Sequence, residues 1–379
     1  MTAKPPAVRI GIAGAARGAS YLAGLRAAGA AQLVAVYDPL PEARERFQRE
    51  HEVAVSCERY AQMLDQVDAV IVSSPQQYHV PQAVMALRAG VHVLSEVPAA
   101  VSLDQAQELL SAARQSSALY MLSENYCYTR TNLIVTAMVR AGAFGEIYFA
   151  EGEYLHELNG LFHRADGQST WRYFWQAGRD ALTYPTHSLG PVLQWLDDRL
   201  VAVSCVGTGR HTDPEHALQD TVLLLGRTSR GRLVKIRFDL LSRRPHLMDY
   251  YSLQGTGGAY EASRARGEEP RVFLHGRSPD GSWEPLDTYA DEFLPARYRE
   301  VAAGAGHWGS DSWPVREFVE SIVEGSASPI DVYTALDMTL PGIISEQSIA
   351  QGGAWVAVPD PRFMTAGIGV EPGREAPHI

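Results

Sequence analysis

Two rhythms of hydrophobic and polar residues divide the chain. In the first third, short runs rich in β-branched residues ("VRIGIAG", "AQLVAVYD", "VDAVIVSS", "VHVLSE", "ALYMLSE") alternate with amphipathic segments. Apolar runs of this length are typical of strands buried on both faces. "PEARERFQREH", with Pro41 near its start, "VPQAVMALRAG", closed by Gly90, and "LDQAQELLSAARQ" read as intervening helices. Strand–helix alternation at this spacing predicts a doubly wound parallel sheet, an α/β fold.

Near residue 125 the pattern changes. The helix "NLIVTAMVRAGAFG" leads into longer strand patterns: "EIYFAEGEYLHE", "VAVSCVGTG", "DTVLLLGRTSRGRLVKIRFDLLS" and "HLMDYYSLQGTGGAYEAS". "GRTSRGRL" reads as a hairpin turn. This half is α+β with a large, mostly antiparallel open sheet. "SWPVREFVESIVEG" and "DVYTALDMTLPGIISEQSIAQGG" read as helices returning toward the first domain. The expected division is residues 1–125 for the first domain, 126–360 for the second, and a Pro- and Gly-rich tail over 361–379.

A length of 379 residues makes two domains the default, because single cores stop growing before that size. A net charge of −11 without a basic patch excludes nucleic acid and anionic membrane as expected partners. No apolar run approaches a membrane span, and "MTAKPPAVRIGIAG" has no secretory apolar core, so a cytoplasmic location is expected. Cys57, Cys127 and Cys205 are scattered without metal-ligand spacing and read as reduced thiols; no metal is expected. The bare face of an open sheet must bury against something, which predicts a homo-oligomer, a dimer or tetramer.

"IGIAGAARGAS" occupies the turn between the first strand and helix, where a G-x-G-x-x-G fingerprint cradles a pyrophosphate. Gly14 supplies the tight turn and Gly18 lies near the helix start. Ala16 replaces the middle glycine and adds a methyl where the pyrophosphate approaches, beside Arg17. Asp38, 24 residues after Gly14, ends the second strand. A carboxylate there accepts from a ribose diol and repels a 2′-phosphate, favouring NAD over NADP. Its alternative role is capping the helix that follows. The domain is therefore of the Rossmann type.

"SSPQQYHVPQAVMALRAGVHVLSEVPAAVS" resembles the glucose–fructose oxidoreductase / inositol dehydrogenase / MocA superfamily over nearly the full length. The resemblance implies that Ser74, Pro75 and His79 line the cofactor cleft, that Glu96 and Pro98 flank the nicotinamide, and that Asn125 also contacts the cofactor. The superfamily's Glu-Lys-Pro motif is here Glu96-Val97-Pro98. A lysine there polarises the hydroxyl being oxidised and manages its proton; Val97 can do neither.

The second half supplies other candidates. Alternation along "EGEYLHEL" puts Tyr154 and His156 on one strand face. "TWRYFW" offers Trp171 as an aromatic platform, or as core, beside the cationic fork of Arg172. "LTYPTHSLGPVLQWL" places Tyr184 and His187 three residues apart at a helix start, with Thr183 where superfamily dehydrogenases carry an aspartate. In "GHWGSD", His307 and Asp311 reach substrate, or Asp311 caps the next helix. "SRRPH" offers Arg243 and Arg244 to a substrate or a neighbouring subunit.

The set "EVPAA", "SENYCY", "GEYLHEL", "TWR", "YPTHSLGPV" and "SRRPH" is similar to the NAD-dependent α-N-acetylgalactosaminidase branch of that superfamily. That branch implies a redox-neutral glycosidase. NAD takes hydride from sugar carbon 3, the ketone acidifies the carbon 2 proton, a base removes it and the glycosidic oxygen leaves. Water then adds to the enone and the hydride returns. Carry-over makes Tyr154 the base at carbon 2 and puts Tyr184 and His187 at the carbon 3 hydroxyl, with His156, Trp171, Arg172 and His307 around the substrate. The alternatives are a net sugar or polyol dehydrogenase and a non-catalytic NAD-binding protein.

Overall fold

The computed structural model describes residues 7–365, except Arg266, Asp280, Val301 and Ala303. The chain forms two compact units. One comprises the chain through Thr129, Glu300–Leu336 and the stretch from Pro361; the other comprises Arg130–Arg299 and Asp337–Asp360.

The first unit is built on six parallel strands: β1 (Val8–Ala13), β2 (Ala31–Tyr37), β3 (Val55–Cys57), β4 (Ala69–Val72), β5 (His92–Ser95) and β6 (Tyr120–Leu122). Their order is β3-β2-β1-β4-β5-β6, so the chain reverses direction across the sheet between β1 and β4. A cofactor binds beyond the carboxyl ends of the strands at such a switch. The apolar runs of β1 and β4 are buried because helices cover the sheet. Ser102 caps the helix Leu103–Gln115, its hydroxyl accepting from the Gln105 N–H at 3.1 Å. Gly24 lets the helix Ser312–Glu324 approach closely, since a Cβ there would lie 2.9 Å from that of Val315. β3 went unpredicted: three residues are too few to show alternation.

Of the tail expected over 361–379, residues 366–379 lie outside the described residues. Before them, the Arg114 guanidinium donates to the carbonyls of Pro361, Arg362 and Met364 at 2.7–2.9 Å.

The second unit is a nine-stranded sheet: β7 (Ile147–Leu155), β8 (Leu200–Gly207), β9 (Thr221–Thr228), β10 (Leu233–Asp239), β11 (Leu247–Gly255), β12 (Gly258–Glu261), β13 (Arg271–Leu274), β14 (Glu284–Pro285) and β15 (Val356–Ala357). Its order is β14-β13-β12-β11-β7-β10-β9-β8-β15. All pairs are antiparallel except β10 with β7. The β9–β10 hairpin closes at the expected turn, Thr228 donating its N–H to the Arg232 carbonyl at 3.0 Å. "HLMDYYSLQGTGGAYEAS" folds as two strands, β11 and β12, around Thr256-Gly257. The helix Thr186–Leu196 packs on β7 because Gly152 carries no side chain: a Cβ there would meet the Ser188 carbonyl oxygen at 2.7 Å.

Candidate active site

In the first unit the turn after β1 is shaped for a dinucleotide. Gly14 has φ +98°, and a Cβ on it would lie 2.6 Å from the Ser73 carbonyl oxygen. Only glycine fits a backbone so placed. Gly18 holds helix against strand, its would-be Cβ 2.3 Å from Ile12 Cγ2. Ala16 is exposed on the turn. Asp38 is buried; its carboxylate accepts from the N–H groups of Ala15 (2.9 Å) and Leu40 (3.0 Å). It thus ties β2 to the turn, and lone pairs remain for a ribose diol. These residues fit NAD.

His79 is buried, with Nδ1 3.0 Å from the Pro98 carbonyl and Nε2 2.8 Å from the Ser74 carbonyl. Both nitrogens are occupied by main chain, so His79 positions the Ser74-Pro75 and Val97-Pro98 segments. Burial holds its pKa below the ordinary value despite those carbonyls, which pull the other way. The side chain of Ser74 turns to Gln82 Oε1 at 2.8 Å. Val97 is buried, and its N–H reaches Glu96 Oε2 at 3.2 Å.

Glu96, the residue before Val97, is met by a cation from the turn after β1. Arg17 Nε pairs with Glu96 Oε1, and its Nη1 lies 3.4 Å from Asp311 Oδ2. Asn125 Nδ2 donates to Asp311 Oδ1 at 2.7 Å, and His307 Nδ1 lies 2.9 Å from Oδ2. Asp311 therefore gathers Arg17, Asn125 and His307, and its side chain makes no capping bond to the helix Ser312–Glu324. Burial alone would raise both carboxyl groups. The opposing charge of Arg17 on Glu96, and the His307 hydrogen bond with Arg17 on Asp311, hold each below the usual carboxylate range.

In the second unit, β7 and the helix Thr186–Leu196 bring the predicted catalytic residues together. The Tyr154 ring centroid lies 5.2 Å from that of His187 and 5.6 Å from that of Tyr184; the Tyr184 and His187 rings meet edge-on at 4.8 Å. The Tyr154 hydroxyl is 3.3 Å from His156 Nδ1. The Tyr251 hydroxyl donates to the His187 carbonyl, fixing the helix start. Thr183 is buried, so no carboxylate stands at the position where superfamily dehydrogenases carry one.

Trp171 and Arg172 stack on each other, guanidinium carbon 4.6 Å from the ring centroid, where a π-helical turn Arg172–Gln176 begins. Sequence reasoning missed His246, whose ring lies 4.7 Å from that of His156, and Phe238, paired with Tyr154 in the β7–β10 register. The only sequence signal for His246 was its place in "SRRPH".

A switch-point sheet with a glycine-shaped turn defines a dinucleotide-dependent enzyme of the oxidoreductase type. Residues 8–124 match the oxidoreductase family, NAD-binding Rossmann fold, and residues 128–367 match glycosyl hydrolase 109, C-terminal domain. The chain belongs to glycosyl hydrolase family 109, and its cofactor is NAD. It is 32% identical over 321 residues to a family 109 protein of Solibacter usitatus, covering 78% of this chain and 72% of that one. A Stenotrophomonas maltophilia family 109 protein is 29% identical over the same shares. A levoglucosan dehydrogenase solved with NADH and L-sorbose superposes with TM-score 0.80 at 19% identity, over 94% of this chain and 100% of that one. An oxidoreductase domain protein from Kribbella flavida gives TM-score 0.81 at 18% identity, over 93% and 100%. Among the described residues no helix is long and apolar enough to cross a membrane.

Proposed function

We propose that this protein is a redox-neutral glycosidase that cleaves its substrate by elimination and addition, with Tyr154, Tyr184 and His187 as its catalytic residues. The observation that carries the reading is the cluster these three side chains make with His156 in a family 109 chain whose position 97 is valine. NAD, when bound, supplies a hydride acceptor that can return what it takes. The residues toward that cofactor are Gly14, Ala16, Arg17, Gly18, Asp38, Ser74, Pro75, Glu96, Val97 and Asn125, with His79 holding their frame and His307 acting through Asp311.

With sugar carbon 3 at the ketone level, Tyr154 takes the carbon 2 proton and the carbon 1–oxygen bond breaks. Tyr154 exchanges that proton with solvent through His156 and delivers a solvent proton to carbon 2 as water adds at carbon 1, the water's other proton going to the released aglycone oxygen. His156 accepts from or donates to the phenol oxygen, so proton movement at Tyr154 has an adjacent partner. Tyr184 and His187 handle the carbon 3 hydroxyl proton in place of the absent lysine. Trp171 and Arg172 contribute a stacking face and a cationic fork to sugar recognition.

The expected roles, cofactor binding over 1–125 and substrate binding over 126–360, attach to the two compact units, except that Glu300–Leu336 returns to the cofactor unit. A cytoplasmic location is supported by three free, buried cysteines, and a homo-oligomer by the apolar residues Val206, Leu223 and Leu233 exposed on the nine-stranded sheet.

The test is a panel of aryl glycosides with NAD, reading phenol release and NADH absorbance together. Release without NADH accumulation is expected. NADH rising in proportion to product makes the protein a net dehydrogenase, and NAD binding with no turnover makes it a non-catalytic binder.

A further inference from the structure

The sheet unit contains a cavity of about 720 Å³, lined by Glu157, Asn159, Thr212, Asp213, Arg243 and Arg244. Its volume lies in the range of small-molecule sites, roughly 300–1,000 Å³. The wall adjoins the proposed base. Glu157 follows His156 in the chain and Pro245, also in the wall, precedes His246; those two imidazoles face each other at 4.7 Å, and His156 meets the Tyr154 hydroxyl.

The lining holds two carboxylates and two guanidinium groups, and the two sets do not pair with each other. Asp213 Oδ2 is taken by His216 Nδ1 at 2.7 Å and its Oδ1 by the Glu215 N–H at 3.3 Å. Glu157 Oε1 accepts from the Asn159 N–H at 3.0 Å. Arg243 and Arg244 are exposed, and among the described residues neither meets a carboxylate within 4.0 Å; Arg244 Nε only touches the Pro245 carbonyl at 3.4 Å. Two adjacent guanidinium groups thus stand unpaired at a cavity wall in a chain of net charge −11. Guanidinium forks bind carboxylate, sulfate and phosphate through paired N–H donors.

We propose that Arg243 and Arg244 form a subsite for an anionic group carried by the substrate outside the reacting sugar ring, so that the preferred substrate is an acidic glycoside. The placement in the substrate rests on the glycosidase reading; the anion site itself does not.

The experiment compares the wild type with the R243A/R244A double variant in two measurements. The first is calorimetric titration with inorganic sulfate at constant ionic strength, which needs no turnover. The second is kcat/KM for aryl glycosides whose aglycone is neutral, carboxylated or sulfated. The wild type is expected to bind sulfate and to favour the charged aglycones by tenfold or more, since a hydrogen bond to a charged group contributes about 1.5–3 kcal/mol. A carboxylate preference without a sulfate preference identifies the anion as a carboxylate, and the reverse as a sulfate or phosphate. In the double variant sulfate binding disappears and the charged-to-neutral ratio falls to about one. Equal kcat/KM for all three aglycones in the wild type, or a ratio that survives in the double variant, overturns the proposal. If no glycoside is cleaved, the glycosidase reading fails and the sulfate titration decides alone: binding lost in the variant keeps the anion site, and no binding by the wild type removes it.

Discussion

A free phenol, with a pKa of about 10, is almost wholly protonated at neutral pH, so the case for Tyr154 as a base rests on its surroundings. His156 at 3.3 Å gives its proton a place to go, and the rings of Tyr184 and His187 enclose it on the helix side. Tyr154→Phe keeps the packing and removes the proton carrier. It is expected to lower kcat by about 10²–10⁴-fold, with KM little changed, in steady-state assays on an aryl glycoside; a loss below threefold removes Tyr154 from the chemistry. In the cofactor unit, Arg17 keeps Glu96 and Asp311 ionised while buried. Because both carboxyl groups titrate below the usual range in the folded state, they stabilise the fold above pH about 4 and lose that contribution as pH falls through their folded pKa values. Arg17→Met raises those pKa values. Thermal melts across acidic pH should show the variant losing stability at a higher pH than the wild type, and an unchanged acid limb contradicts the role given to Arg17.

The relation of β7 to the helix Thr186–Leu196 sets where His187 stands, and Gly152 permits it. Gly152→Ala drives a methyl into the Ser188 carbonyl. The expected result is a loss of about 1–3 kcal/mol of stability by denaturant unfolding, together with a fall in kcat as His187 moves from Tyr154; wild-type kcat in the folded variant contradicts this coupling. The parallel sheet was legible because each buried strand carries its own run of β-branched residues, and the hairpin because "GRTSRGRL" supplies Gly231 at φ +79°. The grouping of Tyr154 with His156 was legible from alternation along one strand. Its grouping with Tyr184 and His187 came from motif resemblance, because no local pattern reports which helix covers which strand. The Asp311 network was not legible: Arg17 and Asp311 are 294 residues apart. Asp311 read equally well as a cap because the local sequence before a helix looks the same in either role. The short β3 and the π-helical turn at Arg172 leave no periodic signature of their own.

At the scale of the whole molecule, Val206 and Leu223 pair across β8 and β9 on one face of the sheet, both exposed, with Leu233 on β10 beyond them. Leu223 stands opposite Arg237 and Leu233 opposite Arg227, and the exposed apolar positions among these charges support the proposed homo-oligomer. Leu223→Glu is expected to shift the protein toward monomer in light-scattering chromatography, while a mass that is already monomeric in the wild type contradicts the oligomer. The proposed cycle differs from a displacement glycosidase in a carbon 2 proton that leaves and is replaced from solvent during each turnover. The most direct measurement is hydrolysis of an aryl glycoside in heavy water, with proton NMR of the released sugar. Deuterium at carbon 2, hydrogen retained at carbon 3 and no net NADH are predicted; a product still protonated at carbon 2 contradicts elimination and the part assigned to Tyr154.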